Sequence, residues 1–252
     1  MATSCLMDVR GRTALVTGAS GGIGRATALE LARLGAFVKL TGRAEAALRE
    51  AARATGGTYL VADLARPEEV DRLAAWAGDV DVLVNNAGVG WAGRFAEMPP
   101  ERAEEVVAVN LLAPLRLTRA LLPGMLARGR GHVVNVASIA GHVGPGEEAV
   151  YAATKAALIA FSESLRYELA GTGVGVSVVS PGVVRTAFFD REGSPYARRF
   201  PRMVGPEVVA RAVVRAVREE RAEVFAPRWF ALPAWLRGAF PGLYRRLQGR
   251  FG

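Results

Sequence analysis

A tyrosine and a lysine four residues apart, shortly after a serine, are the residues of this chain best suited to chemistry. Tyr151 and Lys155 lie in Tyr-Ala-Ala-Thr-Lys, which opens an alanine-rich run of high helix propensity. Residues four apart on a helix share a face, so we expect the Lys155 ammonium beside the Tyr151 phenol. A free phenol titrates near pH ~10, and an adjacent positive charge favours the phenolate and moves proton exchange toward neutral pH. Tyr151 is therefore a candidate proton donor.

The use of lysine at position 155 supports this interpretation. Of the 32 basic residues, Lys39 and Lys155 are lysine and the other 30 are arginine. A compact ammonium can both tune a phenol and donate to cofactor hydroxyls, whereas an arginine is bulkier and fork-shaped. The alternative is that arginine reflects genomic base composition and that Lys155 is a remaining surface residue. The motif Tyr-x-x-x-Lys does not decide between them, because alone it occurs often by chance.

The elements that would position these residues alternate between strand and helix. Apolar, β-branched runs predict strands at 13–17, 36–41, 59–63, 80–84, 132–137, 174–179 and 223–226. Helical patterns follow the first strand through Leu34, cover 100–128 and 206–220, and begin again near Tyr151. This alternation predicts one α/β domain. Ser138 directly follows the fifth strand, at the edge where open α/β folds place their chemistry, so its hydroxyl could hold a substrate oxygen.

A glycine-rich segment, Gly18 to Gly24, lies between the first strand and its helix. Such glycines let the backbone approach a pyrophosphate, whose charge is met by backbone N–H groups and the helix dipole. The spacing Gly-x-x-x-Gly-x-Gly differs from the commoner Gly-x-Gly-x-x-Gly. An ordinary tight turn is the alternative, and the position between strand and helix favours the cofactor interpretation.

The second strand ends at Gly42-Arg43, where a dinucleotide-binding fold contacts the adenosine ribose. No acid stands there to hold the 2′-hydroxyl of NAD, and Arg43 suits the 2′-phosphate of NADP. The prediction is therefore NADP (NADPH), with NAD less favoured. The alternative is an exposed arginine that opens a helix. Asp63, after the third strand, either caps the following helix or reaches the adenine.

Two further polar features interrupt apolar segments. Asn85-Asn86-Ala87-Gly88 follows the fourth strand and forms either a polar loop under a cofactor or a well-bonded turn. Asn110 lies in the middle of an apolar helical pattern, where an asparagine is costly unless it is hydrogen-bonded. Its alternative role is a helix bend around a buried water.

Composition limits the class of protein. The chain has 252 residues, 51% of them hydrophobic, which suits one large core. The single Cys5 and the two histidines, His132 and His142, indicate neither a disulfide framework nor a zinc site, so we expect metal-free chemistry. The absence of a signal-peptide pattern and of an apolar run of about 18 residues favours a cytoplasmic protein. The net charge is +8, but residues 228–252 carry five arginines and no acid, which leaves +3 for the preceding 227 residues. The excess charge therefore belongs to a basic tail and not to the whole protein, and no nucleic-acid partner is expected.

Together these motifs resemble the short-chain dehydrogenase/reductase family over about residues 10–226. The resemblance rests on Thr17-Gly18-x-x-x-Gly22-x-Gly24, Asn85-Asn86-Ala87-Gly88, Asn110, Ser138, Tyr151-x-x-x-Lys155 and Pro181-Gly182-x-x-x-Thr186. It implies a doubly wound (Rossmann-like) parallel sheet of seven strands that binds a nicotinamide cofactor. It also implies the catalytic group Asn110, Ser138, Tyr151 and Lys155.

The resemblance assigns roles to these residues. Ser138 and Tyr151 would bind the substrate carbonyl, and Tyr151 would protonate it. Lys155 would bond the nicotinamide ribose and favour the phenolate, and Asn110 would hold a water that connects Lys155 to solvent. Thr186 would reach the carboxamide and Asp63 the adenine. The implied cofactor-binding residues are Gly18, Ser20, Gly22, Ile23, Gly24, Arg43, Asp63, Asn86, Ala87, Gly88, Tyr151, Lys155, Pro181, Gly182 and Thr186.

The predicted reaction is the interconversion of a ketone or aldehyde with an alcohol. A non-catalytic NADP-binding regulator on the same fold is the alternative, but such relatives typically lose the tyrosine or lysine. A sugar epimerase or dehydratase would need a larger C-terminal domain. Residues 183–205 mix Phe188, Phe189, Tyr196 and Phe200 with Gly and Pro, which predicts a mobile lid and favours an apolar substrate.

The expected organisation is a domain at 10–227 and a tail at 228–252. Tetrameric relatives such as ketoacyl carrier-protein reductases usually end soon after the seventh strand, so the tail makes a homotetramer and that substrate less expected. A homodimer through the helices containing Asn110 and Tyr151 is still expected. The tail resembles those of family members that act on apolar carbonyls and alcohols, including steroid and retinoid dehydrogenases.

Residues 228–252 themselves show a helical stripe of apolar side chains with arginines between them. The prolines at 233 and 241 suit first turns, which predicts two short amphipathic helices joined near 238–241. One interpretation is that the stripe packs on its own subunit or across a dimer and roofs the substrate cleft. The other is contact with a membrane surface. The apolar positions are Leu232, Trp235, Leu236, Ala239, Phe240, Leu243 and Leu247.

Overall fold

The structure is a computed structural model that describes residues 7–191, 196 and 200–251. Its strands are β1 (Thr13–Thr17), β2 (Phe37–Gly42), β3 (Thr58–Val61), β4 (Val82–Asn85), β5 (Gly131–Val136), β6 (Val174–Pro181) and β7 (Glu223–Ala226). They form one sheet in the order β3-β2-β1-β4-β5-β6-β7, and every neighbouring pair is parallel. The predicted doubly wound parallel sheet of seven strands is confirmed.

Helices connect the strands and cover both faces of the sheet. They are α1 (Gly22–Arg33), α2 (Glu45–Thr55), α3 (Pro67–Ala77), α4 (Pro100–Val107), α5 (Ala113–Ala127), α6 (Ile139–Val143), α7 (Ala149–Glu168), α8 (Phe188–Arg191), α9 (Pro206–Arg218), α10 (Ala231–Ala239) and α11 (Pro241–Phe251). Short 3₁₀ turns occupy Phe95–Glu97 and Arg228–Phe230. A π-helical segment, Ala108–Leu112, separates α4 from α5.

Two hydrophobic cores result, because successive side chains of a strand point to opposite faces. In β1, Val16 packs into the core that also contains Leu31 of α1 and Val213 of α9. Its neighbour Leu15 packs into the other core, with Leu73 of α3 and Leu117 of α5. The near-continuous apolar character of the strands reflects burial on both faces.

The segment Pro100–Ala127 is long and apolar enough, by length and composition, to cross a membrane. In the folded chain it is a core helix. Val106, Leu117 and Met125 are fully buried, and α5 packs against α3 and β5. This packing accounts for the apolar composition of the segment.

Strand ends differ from the predicted ends by up to two residues. β3 stops at Val61 because the chain turns at Asp63, whose Oδ1 accepts a hydrogen bond from the Ala65 N–H (3.1 Å). β6 continues to Pro181, which pairs with Ala226 of β7.

The strand order reverses beside β1, which lies between β2 and β4. A doubly wound sheet has its binding crevice at such a switch point, outside the carboxyl ends of the strands. The glycine turn follows β1, Asn86 follows β4, Ser138 follows β5 and Pro181 ends β6. The topology therefore brings all four segments to one edge of the sheet.

Candidate active site

The glycine turn after β1 is packed too tightly to admit side chains. Gly18 has a positive φ of 66°, and a Cβ there would lie 2.9 Å from the Cα of Ala87. A Cβ on Gly24 would lie 2.3 Å from the Gly18 carbonyl oxygen, and one on Gly22 would lie 2.9 Å from Cγ2 of Thr186. The turn leads into the N-terminus of α1, whose first turn contains no acidic residue. This cradle of bare backbone at a helix N-terminus fits the pyrophosphate of a dinucleotide.

Thr17, the last residue of β1, holds this turn against the loop after β4. Its hydroxyl accepts hydrogen bonds from the N–H groups of Asn86 (2.9 Å) and Ala87 (3.0 Å) and donates to the Val84 carbonyl (3.3 Å). The Asn86 amide donates to the Thr17 carbonyl (2.8 Å). The Asn86 loop is thus well bonded to the protein, as one of the two interpretations predicted. Thr17 belongs to the glycine motif that carries the family resemblance, but no role of its own was predicted for it.

Asn110 is fully buried in the π-helical segment. Its Oδ1 accepts from the Val89 N–H (2.9 Å), and its Nδ2 donates to the Val89 carbonyl (2.8 Å) and to the Thr154 hydroxyl (3.3 Å). The side chain therefore ties this helix to the loop after Gly88 and to α7. The expectation that Asn110 must be hydrogen-bonded is met by protein groups, and π-helical segments of this kind occur frequently at functional sites.

Lys155 is 4% exposed, so the interpretation as a remaining surface residue is wrong. Its Nζ donates to the Val136 carbonyl at the end of β5 (3.0 Å) and lies 5.7 Å from the centroid of the Tyr151 ring. Burial lowers the pKa of Lys155 to about 8, because desolvation disfavours the ammonium. A Cβ on Gly88 would lie 3.6 Å from this Nζ and 3.4 Å from the Asn110 Oδ1. Lys155, Asn110 and the loop after β4 therefore meet at one point.

Ser138 begins α6 as its N-cap, and its Oγ accepts from the Ala140 N–H (3.1 Å). The hydroxyl proton is still available to be donated to another group. Helix α6 packs closely on α7 because position 141 is glycine. A Cβ on Gly141 would lie 2.7 Å from the carbonyl carbon of Lys155. Gly141, for which no role was predicted, thereby fixes the distance between the Ser138 and Lys155 segments.

A buried polar chain behind the site was also not predicted. Asn85 Nδ2 donates to Asn135 Oδ1 (2.9 Å), Asn135 Nδ2 donates to the Ser162 hydroxyl (2.8 Å), and that hydroxyl donates to the Leu158 carbonyl (2.6 Å). The chain links β4 and β5 to α7. Asparagines in strands and a serine in a helix read as isolated polar residues, and only the parallel register of Asn85 with Asn135 places them together.

Aromatic side chains from the predicted lid extend from the site. The ring of Phe188 lies 5.6 Å from that of Tyr151, and Phe189 lies 5.7 Å from Phe188 and 5.5 Å from Tyr196. Part of the predicted lid is regular, because Val184 bridges Val204 and α8 is helical. Residues 192–195 and 197–199 lie outside the described residues, and the mobility of the lid stays a prediction.

The segment after β6 approaches both the glycine turn and the tail. The hydroxyl of Thr186, whose methyl lies against Gly22, accepts from the Phe188 N–H (3.3 Å). Gly182 donates to the Ala226 carbonyl (2.9 Å), and a Cβ there would lie 2.0 Å from Phe230. Pro181 is buried at the end of β6.

The residues expected around the adenosine lie at the end of β2 and after β3. Arg43 is exposed and forms an ion pair with Glu105 (3.3 Å). A Cβ on Gly42 would lie 3.1 Å from Oγ of Ser20, so the glycine turn borders this segment. Asp63 holds its own turn through Ala65, and the N-cap of α3 is Arg66. The interpretation of Asp63 as the cap of that helix is therefore wrong.

The tail forms the two predicted helices, α10 and α11, which meet at Phe240-Pro241. Helix α10 contacts α6, but most of the apolar stripe is not covered by the described part of its own subunit. The interpretation that the stripe packs across a dimer stays a prediction. Leu232 and Trp235 are 65% and 61% exposed, and Phe240, Leu243 and Leu247 are also exposed. The tail is attached by buried Phe230 and by Arg237, which donates to the His142 carbonyl of α6.

Comparisons with known proteins agree with this geometry. The sequence pattern of the short chain dehydrogenase family matches residues 12–196. The chain is 38% identical over 228 residues to the ketoacyl reductase HetN of Nostoc, covering 87% of this chain and 79% of that protein. It is 35% identical over 230 residues to the 3-oxoacyl-(acyl-carrier-protein) reductase FabG of Escherichia coli, covering 86% and 94%.

Two solved structures extend the similarity to the fold and to cofactor binding. A short-chain dehydrogenase/reductase of Burkholderia phymatum in complex with NAD has a TM-score of 0.86 at 30% identity, covering 94% of this chain and 96% of that one. A short-chain dehydrogenase of Sphingobium yanoikuyae in complex with NADPH has a TM-score of 0.80 at 28% identity, covering 92% and 95%. The chain belongs to the short-chain dehydrogenase/reductase family and is an NAD(P)-dependent oxidoreductase.

Proposed function

We propose that this enzyme interconverts a ketone or aldehyde with an alcohol, using NADP(H), and that Tyr151 is its acid/base. The observation that carries the proposal is the buried Lys155 ammonium, held by the Val136 carbonyl at 5.7 Å from the Tyr151 ring. A buried ammonium is costly, and within the described part of the chain the Lys155 ammonium donates a hydrogen bond to one carbonyl, that of Val136. Its retention beside a phenol therefore supports a chemical role.

The four catalytic residues divide the work as follows. When bound, the nicotinamide supplies or accepts the hydride. Ser138 stands at the start of α6. Its hydroxyl and the Tyr151 phenol bind the substrate oxygen, and Tyr151 gives that oxygen a proton during reduction. The Lys155 ammonium favours the phenolate that this leaves. The Asn110 side chain is engaged by Val89 and Thr154, so the water expected there would bond the backbone of Asn110.

The cofactor residues are those of the cradle and its borders. Gly18, Gly22 and Gly24 with Ser20 and Ile23 would receive the pyrophosphate, and Thr186, which lies against Gly22, would reach the carboxamide. The loop at Asn86, Ala87 and Gly88 would lie under the nicotinamide side, and Pro181-Gly182 would border the carboxamide. Asp63 would reach the adenine with the carboxylate oxygen that Ala65 leaves free.

Arg43 supports a preference for NADP over NAD. Each charge-assisted bond to a 2′-phosphate contributes about 1.5–3 kcal/mol, which is roughly tenfold or more in affinity. Glu105 competes for Arg43 through its ion pair. We expect the double change Gly42→Asp and Arg43→Gln to shift the preference toward NAD, and Glu105→Gln to strengthen NADP binding. Equal dissociation constants of the wild-type protein for NADP and NAD, measured by titration calorimetry, would contradict the preference.

The substrate is proposed to be apolar, because Phe188 and Phe189 lead away from Tyr151. Two of the named relatives reduce ketoacyl groups, so thioesters of ketoacids belong in the test panel beside simple ketones. We also propose a homodimer in the cytoplasm. The helices containing Asn110 and Tyr151 expose Leu112 and Tyr167, the latter 71% exposed, which supports a dimer contact there.

The test is cofactor absorbance with a broad panel of carbonyls and alcohols. Tyr151→Phe should abolish turnover of any substrate found, while the dissociation constant for NADPH stays within a few-fold of wild type. Turnover near the wild-type rate in this variant would show that the assigned mechanism is wrong.

A further inference from the structure

The tail, residues 228–251, presents an exposed apolar surface. Leu232, Trp235, Phe240, Leu243 and Leu247 are all exposed, although they recur at helical spacing along α10 and α11. The rings of Trp235 and Phe240 lie edge to face at 6.0 Å, so the exposed aromatic side chains at the junction of α10 and α11 are in contact. Exposed aromatic and leucine side chains in one patch mark a surface that another apolar body covers.

The charge of the tail indicates what that body is. Residues 228–252 contain five arginines and no Asp or Glu, so they carry +5 of the net charge of +8. Arg245 and Arg246 are exposed on α11, between Leu243 and Leu247. A covering surface must therefore be apolar in its depth and negative at its boundary. A bilayer containing anionic lipid has both properties.

A second copy of the chain fits this surface less well. In a two-fold contact the same patch meets itself, which would bring arginines of one tail against arginines of the other without a carboxylate from either tail. Like charges brought together in this way oppose association.

The tail is attached beside the substrate cleft. Its Trp229 ring stacks on Phe200 of the predicted lid (5.5 Å), and Arg237 bonds the carbonyl of His142 in α6, the helix that Ser138 begins. A surface bound by the tail would therefore lie near the groups that enclose Tyr151.

We propose that residues 228–251 bind the surface of an anionic lipid bilayer, with Trp235, Phe240 and Leu243 in the headgroup boundary and Arg245 and Arg246 toward lipid phosphates. This deepens the proposed function, on which it rests for the apolar substrate: the enzyme takes a lipophilic carbonyl compound from the bilayer.

The test is cosedimentation of the full-length protein with phosphatidylcholine vesicles, prepared with and without phosphatidylglycerol, at low and high salt. Each arginine near an anionic surface contributes about fivefold to the partition coefficient, so R245Q/R246Q should lower it roughly 25-fold. The matched control R53Q/R218Q removes two exposed arginines at the ends of α2 and α9 and should bind as wild type. Trp235→Ala should weaken binding by about tenfold or more.

Salt-sensitive binding to phosphatidylglycerol vesicles that R245Q/R246Q loses and R53Q/R218Q keeps would support the proposal. No sedimentation with either vesicle, or equal loss in both double variants, would overturn it. Dissociation of an oligomer by R245Q/R246Q in analytical ultracentrifugation, without vesicle binding by wild type, would assign the surface to a second copy instead. Turnover of a water-soluble ketone without vesicles separates the two proposals, because R245Q/R246Q should leave it unchanged.

Discussion

At the scale of single residues, the buried Lys155 ammonium lowers the stability of the fold, while the proposed chemistry requires it. Lowering its pKa from 10.5 to about 8 corresponds to about 3 kcal/mol against the charged form at pH 7. Lys155→Met removes that cost but leaves the Val136 carbonyl without its donor, which costs about 1 kcal/mol. We therefore expect the cofactor-free variant to be about 2 kcal/mol more stable at pH 7 and inactive.

The stability difference between wild type and Lys155→Met should change with pH, in a direction that the lowered pKa of Lys155 determines. Below pH 8 the lysine is protonated in both folded and unfolded chains, so the full cost of burial is present. Between about pH 8 and 10.5 the unfolded chain binds more protons, so wild-type stability rises relative to Lys155→Met. Urea unfolding of both proteins at a series of pH values measures the difference. A variant less stable than wild type at pH 7 would contradict the expectation.

Two buried threonines allow a matched test of the joint between β1 and β4. Thr17→Val leaves the Asn86 and Ala87 N–H groups without their acceptor, which we expect to cost about 2–4 kcal/mol and to weaken NADPH binding. The Thr27 hydroxyl is buried and has no hydrogen-bond partner within the described part of the chain. Thr27→Val should therefore be neutral or stabilising, and its NADPH affinity should equal that of wild type. The free energy of unfolding is measured with urea and the NADPH affinity by fluorescence titration. Similar losses of both in the two variants would show that the Thr17 hydrogen bonds do not hold β1 against the loop after β4.

At the scale of elements, the contact between α6 and α7 sets the distance from Ser138 to Lys155. In Gly141→Ala the new methyl would meet the Lys155 backbone at 2.7 Å, so the helices must separate. Overpacking of this kind costs about 1–3 kcal/mol, and a displacement of about 1 Å at a reacting group can cost on the order of a hundredfold in rate. We expect kcat to fall about that far.

Gly146→Ala is the control for this change. Position 146 lies between the same two helices, has no positive φ, and has open space where a Cβ would stand. Its kcat and its free energy of unfolding should match those of wild type. If Gly141→Ala retained wild-type kcat, the working position of the Ser138 hydroxyl would not depend on the packing of α6 against α7.

The sequence predicted the elements well because their signals are local. Apolar periodicity placed all seven strands within two residues of their observed ends, and the Tyr151–Lys155 spacing placed both residues on α7. Contacts between distant segments were not predictable in the same way. Gly141 looks like any glycine in a loop, Asn135 like a stray polar residue, and Glu105 gives no sign that it will reach Arg43. These partners become visible only when the parallel register and the helix packing are known.

At the scale of the whole molecule, the sheet consists of two halves that meet at a single strand pair. β1 adjoins β4 through the pairs Ala14–Val82, Leu15–Leu83 and Val16–Val84, whereas β2 and β3 lie on one side and β5 to β7 on the other. The turn after β1 and the loop after β4 supply the two sides of the cofactor crevice. The crevice therefore exists only once this pair has formed.

The position of this strand pair has a consequence for the kinetics of folding. Its partners are far apart in the chain, so closing it carries a large loop entropy and belongs to a late, slow step. NADPH binds only after that step, and a ligand that stabilises the native state but not the transition state slows unfolding alone. In stopped-flow experiments, saturating NADPH should reduce the unfolding rate and leave the refolding rate unchanged. Faster refolding with NADPH would mean that the two halves meet before the rate-limiting barrier.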